Sequence, residues 1–299
     1  MNRGMKLRLS ENFRAVFYAP FYATHARGFF AAEGLEVELV TSAAPGDAMA
    51  RLLDGTIDVS WGGPMRVMMA RDRDAGSPLV CFGEVVARDP FYLVGRPDID
   101  GFCFADLARL RFATVAEVPT PWMCLQHDLR LAGIDPSAFA RTTDRTMAEN
   151  LAALRDGRVD VVQLFEPFVT HALRAGFGRI LYAASGRGPC VYTSFIASRE
   201  RIARDPAAFA AMQRATAHML DRLAALGPGE LAAATASFYP DLPSDVLAEA
   251  LGRYGTAGIW AATPAMSREG FARLAESLLS GGFLLCMPRF EDCVAPGLA

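Results

Sequence analysis

The residues of this chain that could do chemistry are those of a binding site rather than of a reaction centre. Phe17, Tyr18 and Trp61 are aromatic residues beside turns, placed to sandwich a planar or apolar group. Gly62 and Gly63 stand directly before Pro64, so their backbone N–H groups face a helix start, a natural seat for an anion. Thr120, before Pro121 and Trp122, can cap the next helix while offering a hydroxyl. Asn12 lies in the loop after the first strand, and Tyr192 in a late strand. Glu84 and Glu166 end two strands far apart in the chain, and a carboxylate pair there suits a cationic or amino-bearing ligand. Arg66 and Arg88 are the guanidinium groups nearest the same loops and would instead suit a sulfonate or carboxylate. Each residue alone also has a plain explanation as a core ring, a tight turn, a cap or a surface charge. Their shared position at strand ends is what argues for a site.

Covalent chemistry finds no pattern to stand on. Neither GxxxxGK[ST] nor GxSxG occurs. The six cysteines (Cys81, Cys103, Cys124, Cys190, Cys286, Cys293) form no CxxC pair, and His25, His127, His171 and His218 form no HxxxH set. No cofactor and no metal is expected. Of 30 basic residues only Lys6 is a lysine, so a side-chain amine able to form a Schiff base exists at one position, in a predicted strand.

These side chains need elements to hold them, and one α/β unit appears twice. Leu53-Asp54-Gly55-Thr56-Ile57-Asp58-Val59 is echoed by Arg155-Asp156-Gly157-Arg158-Val159-Asp160-Val161. In each copy an apolar-periodic helix stops at Asp-Gly, where glycine takes the left-handed conformation without penalty. A β-branched strand follows, Ile57–Val59 or Val159–Val162, and then a proline, Pro64 or Pro167, that can open a helix. Ligands of open α/β sheets sit outside the carboxyl ends of the strands, so both copies point at one shared site. Such units followed by helices over 205–226, 229–238, 244–254 and 267–279 argue for an α/β fold.

A chain of 299 residues, 52% hydrophobic, can fill two lobes of ordinary size. Its net charge of −3, with both signs mixed, leaves no basic footprint for nucleic acid. Apolar stretches are broken before membrane-spanning length. Met1–Ser10 lacks the apolar centre of a secretory leader, so the chain reads as cytoplasmic as written, or periplasmic if a leader was removed. Scattered cysteines suit a reducing compartment.

The order of elements resembles a known superfamily. It is carried by Arg27-Gly-Phe-Phe-Ala-Ala-Glu-Gly-Leu-Glu-Val-Glu-Leu39, by the Leu-Asp-Gly-Thr-Ile-Asp-Val run ending at Val59, and by Tyr192-Thr-Ser-Phe-Ile-Ala-Ser-Arg199. These resemble the substrate-binding proteins of nitrate, sulfonate, taurine and thiamine-pyrimidine importers, and the related cytoplasmic enzyme that makes the thiamine pyrimidine. The resemblance covers about Leu7 to Ala210. It implies a two-lobe, type II periplasmic-binding fold with two hinge strands. The first lobe would hold Met1–Tyr92 and Phe195–Ala299, the second Leu93–Ser194.

The resemblance further implies a non-catalytic solute-binding protein of ABC-importer type, closing on a small amino-bearing heteroaromatic or on a sulfonate or carboxylate. Its partners would be that ligand and an ABC permease. It would act as a monomer, with no nucleic acid and no membrane span. The alternative is a cytoplasmic enzyme on the same fold, a pyrimidine-precursor synthase or a lyase. That synthase family uses a lysine-bound pyridoxal phosphate, a histidine and a cysteine-rich iron motif. This chain offers only Lys6 and no cysteine cluster.

Overall fold

The computed structural model describes residues 5–42, 46–223 and 225–297. In chain order the strands are β1 (Met5–Ser10), β2 (Leu35–Val40), β3 (Val59–Gly62), β4 (Leu79–Val86), β5 (Tyr92–Gly95), β6 (Phe112–Ala113), β7 (Arg141–Thr142), β8 (Val161–Leu164), β9 (Arg179–Ala183) and β10 (Thr193–Ser198). They form two five-stranded sheets, ordered β2-β1-β3-β10-β4 and β7-β6-β8-β5-β9. In each sheet four strands run the same way and one, β10 or β5, runs against them next to a crossing. The chain passes to the second sheet between β4 and β5 and returns between β9 and β10, through segments 87–91 and 184–192. Tyr92 pairs in the second sheet, and Thr193 and Ser194 pair in the first.

The helices of the first part are α1 (Ala19–Ala26), α2 (Phe29–Ala32), α3 (Ala48–Leu53), α4 (Met65–Arg73), α5 (Thr120–Leu131), α6 (Met147–Arg155) and α7 (Phe168–Arg174). Both copies of the repeat fold as helix, glycine turn and strand. Gly55 (φ 76°) ends α3 and Gly157 (φ 66°) ends α6, a backbone region that strains any side chain. The second aspartate of each copy has the same task. Asp58 accepts the backbone N–H of Arg8 at 2.7 Å, and Asp160 that of Arg111 at 2.8 Å. Each aspartate N–H in turn donates to the carbonyl of that same residue, at 3.0 and 2.8 Å. These reciprocal pairs fix β3 on β1 and β8 on β6 before the strand ladders begin. Both repeat strands begin two residues later than in the sequence reading, the second running over Val161–Leu164 instead of Val159–Val162. The first repeat strand runs over Val59–Gly62 instead of ending at Val59, so Trp61 and Gly62 lie inside it.

The remainder is helical: α8 (Arg199–Arg204), α9 (Pro206–Leu223), α10 (Pro228–Thr235), α11 (Ser244–Thr256), α12 (Arg268–Ser280) and α13 (Phe290–Cys293). The apolar face of α9 packs on α1, α2 and β4. Helices α11 and α12 reach the second half. Arg253 pairs with Glu166 at 2.6 Å, and Gln126 Nε2 donates to the Ser277 carbonyl at 3.0 Å. An aromatic core including Phe17, Phe21, Trp61, Phe91 and Phe165 runs between the two sheets. Among the described residues no helix is long and apolar enough to cross a membrane.

Candidate functional site

The loops at the carboxyl ends of the strands meet between the two sheets. From the first half come Asn12 and Phe13 after β1, Phe17 and Tyr18 in a 3-10 turn, Gly63 after β3 and Arg66 in α4. From the second come Val118 and Pro119, with Thr120 opening α5. The crossings supply Phe91 and Tyr192, and Thr193 begins β10. Together they enclose a cavity of about 20 Å³, room for roughly one water. The halves touch here: a methyl group on Gly63 would lie 3.7 Å from both Thr120 Oγ1 and the Tyr192 carbonyl.

The electrostatics of this cleft have one sign. Among the described residues Arg66 is the only charged one in its wall, and none of them brings a carboxylate to it. Burial pulls the Arg66 guanidinium below its ordinary pKa, with Tyr18 opposing and no acidic group acting on it. The Tyr18 phenol lies beside Asn12, and burial pushes its pKa far up, so it stays a neutral donor. Thr193 Oγ1 is buried with no hydrogen-bond partner among the described residues. Helices α4 and α5 both begin at the cavity, after Pro64 and Pro119, and neither has a side-chain N-cap. Their positive dipole ends therefore add to the field of Arg66. Thr120, expected as a cap, is the first helical residue of α5.

A family model described as NMT1/THI5 like matches residues 16–225, which hold the whole cavity wall except Asn12 and Phe13. The chain belongs to the NMT1/THI5 like family. It is 28% identical over 203 residues to the Bacillus subtilis (strain 168) protein named "Putative binding protein YtlA", covering 67% of this chain and 60% of that one. The match thus spans less than two thirds of that relative's length. The periplasmic aliphatic sulphonate binding protein SsuA from Escherichia coli has a similar structure, with TM-score 0.76 at 17% identity and 97% of each chain covered. The ligand binding component of an ABC-type import system from Staphylococcus aureus gives 0.75 at 16%, covering 98% of this chain and 97% of that one. These likenesses establish the fold of this NMT1/THI5 like chain. It is the type II periplasmic-binding-protein fold that the sequence led us to expect.

Within that fold the cleft gathers Asn12, Phe17, Tyr18, Gly63, Arg66, Thr120 and Tyr192 from the residues singled out in the sequence. The others lie elsewhere. Trp61 is 1% exposed and stacks on Phe21 at 4.7 Å, because the longer β3 turns its side chain into the core. Gly62 pairs with Ser194 in the sheet. Glu84 is buried under α12, where its carboxylate accepts the Ser267 N–H at 2.8 Å. Glu166 is spent on Arg253 and on the Thr170 N–H. Arg88 donates to the Ser185 carbonyl at 3.3 Å, linking the two crossings. Trp122 faces Arg141, whose guanidinium lies 3.9 Å from its ring centroid.

Sequence reasoning missed Phe13, Phe91, Val118, Pro119 and Thr193. Four of these sit next to residues it did choose (Asn12, Thr120 and Tyr192) or in the same short turn, so loop continuity was the available signal. Lys6 pairs with Glu36 at 3.0 Å in an exposed position on the edge side of β1, away from the carboxyl ends that frame the cavity.

Proposed function

We propose that this chain is a solute-binding protein of ABC-importer type that captures a small organic anion, a sulfonate or carboxylate, between its two halves. The observation that carries this reading is the cavity at Arg66, whose wall, among the described residues, holds one positive charge and no negative one. A guanidinium withdrawn from water without a counter-ion is costly. An anionic ligand relieves that cost through charge-assisted, bidentate hydrogen bonds, and the two helix starts favour the same sign. Glu84 and Glu166, the residues that favoured an amino-bearing ligand, are engaged away from the cleft, which makes the heteroaromatic amine the poorer fit. The family match and the likeness to an aliphatic sulphonate binding protein and an import-system component support the same class of function.

A cavity of about 20 Å³ is too small for any such ligand, so capture requires opening. In this reading the elements of the first sheet form one lobe and those of the second sheet the other. Segments 87–91 and 184–192 are the hinge, and closure removes the ligand from water. The protein works as a monomer and hands the ligand to an ABC permease. Calorimetric titration with methanesulfonate and acetate tests the site. Arg66→Met should weaken binding about ten- to a hundredfold, the range expected for losing a hydrogen bond to a charged group. Equal affinity in the variant and the parent would sink the anion reading.

A further inference from the structure

Beside the small cavity, and sharing Phe13 with it, lies a second hollow of about 650 Å³. Three parts of the chain border it: the turn after β1, the second half around Met147, Phe165 and Phe168, and the segment at Tyr239–Leu242 that leads into α11. Most of its charged neighbours are already committed. Arg14 holds Glu11 through two hydrogen bonds at 2.9 and 2.7 Å, and Glu117 accepts the Met147 N–H at 2.9 Å. Only the exposed Asp241 borders it without a partner among the described residues.

What remains is an aromatic wall that runs unbroken from cavity to hollow. Phe13 and Phe165 stack at 6.2 Å and 24°. Phe165 continues to Phe17 at 5.3 Å on the cavity side and to Phe168 at 6.0 Å on the other. Phe13 and Phe168 are half-buried, so ring surface at the cleft mouth stays in contact with water. A flat apolar group placed there would remove that surface from water and meet ring faces and edges at favourable geometry.

We propose that this hollow is the outer part of the ligand site, receiving an aryl group carried by the anion whose head sits at Arg66. The inference rests on the anion reading above and narrows it to arylsulfonates or aryl carboxylates. Continuity through Phe13 and Phe165 is what assigns the occupant: a compact charged head leaves the cavity along rings, not into open solvent.

Calorimetry with methanesulfonate, hexanesulfonate, benzenesulfonate, acetate and benzoate tests it, on the parent protein, Phe168→Ala, Leu242→Ala and Arg66→Met. Benzenesulfonate and benzoate should bind about tenfold or more tightly than methanesulfonate and acetate. Benzenesulfonate should also bind more tightly than hexanesulfonate. Each apolar variant should lose more affinity for the aryl member than for the methyl member, narrowing their ratio, while Arg66→Met weakens all five. Binding of the methyl anions by the apolar variants reports that they are folded. Equal affinity for aryl and methyl members in the parent, or an intact ratio in both apolar variants, overturns the subsite and leaves the anion reading standing. Hexanesulfonate binding as tightly as benzenesulfonate overturns the aryl assignment. If none of the five binds, the anion reading falls and the subsite with it.

Discussion

Arg66 and Glu84 are both ionisable, both withdrawn from water and both short of partners, yet only Arg66 faces the cleft. Glu84 accepts one N–H, from Ser267, while its Oε1 has no hydrogen bond among the described residues. Burial pushes its pKa from 4.5 up to about 7. The folded protein therefore holds a proton that the unfolded chain has released between those two values. Stability from this group is fully present below pH 4.5, falls as pH rises, and is gone above about 7. Glu84→Gln keeps the acceptor for Ser267 and removes the charge. We expect the variant to be more stable than the parent at pH 8, by up to about 3 kcal/mol, with the gap closing at pH 5. Urea unfolding at both pH values measures this, and a constant gap would show that Glu84 is not the titrating group. At this scale the sequence was only half legible. It marked Tyr18 as an aromatic residue beside a turn and Arg66 as a guanidinium near the same loops. It misplaced Trp61 because successive strand residues face opposite sides, so a strand's true extent decides which rings enter the core.

Elements were easier to read than single side chains, because their signals are local. The Asp-Gly stops and the prolines at helix starts act within a few residues, and both repeat copies fold as helix, turn and strand. The crossings are the opposite case. Arg187, with its side chain 5% exposed, lies in the return crossing and pairs with Asp89 of the outgoing one and with Asp128 of α5. Tyr182 donates to Asp128 at 2.9 Å, and the Phe91 N–H donates to Asp89 at 2.9 Å. Nothing in the sequence joins positions 89, 128 and 187, since only the exchange of strands between sheets brings them together. Removing the cation leaves two buried carboxylates facing each other. Arg187→Met should cost about 3–5 kcal/mol, read as a lower urea midpoint, with Arg187→Lys recovering part of the loss. A change below about 1 kcal/mol would mean that the triad does not hold the crossings together.

For the whole molecule, the C-terminal helices decide how the halves sit. Glu166 is fully buried, takes the Arg253 guanidinium at 2.6 Å, and its backbone N–H donates to the Tyr254 hydroxyl at 2.9 Å. Helix α12 adds the Gln126–Ser277 bond, and His127 Nδ1 meets Ser280 Oγ at 2.8 Å. These contacts tie α11 and α12 to elements of the second sheet's half, and in the hinge reading proposed above they favour the shut form. Arg253→Ala combined with Gln126→Ala should raise the ligand-free radius of gyration in small-angle scattering. Saturation with a bound anion should remove the difference. An unchanged radius would show that closure is held elsewhere. This clamp was invisible in the sequence, where the last helices read only as a helical block, because its contacts span long separations.

The shut cavity also sets a clock. In its shut form the cavity has room for about one water between walls supplied by both halves, so an anionic head can reach or leave Arg66 only through a form in which they have separated. Dissociation then has a ceiling fixed by the protein's own opening rate, and two anions of unequal affinity could share nearly the same residence time. Discrimination between such anions would then be decided by how often capture ends in closure, before the ligand is sealed in.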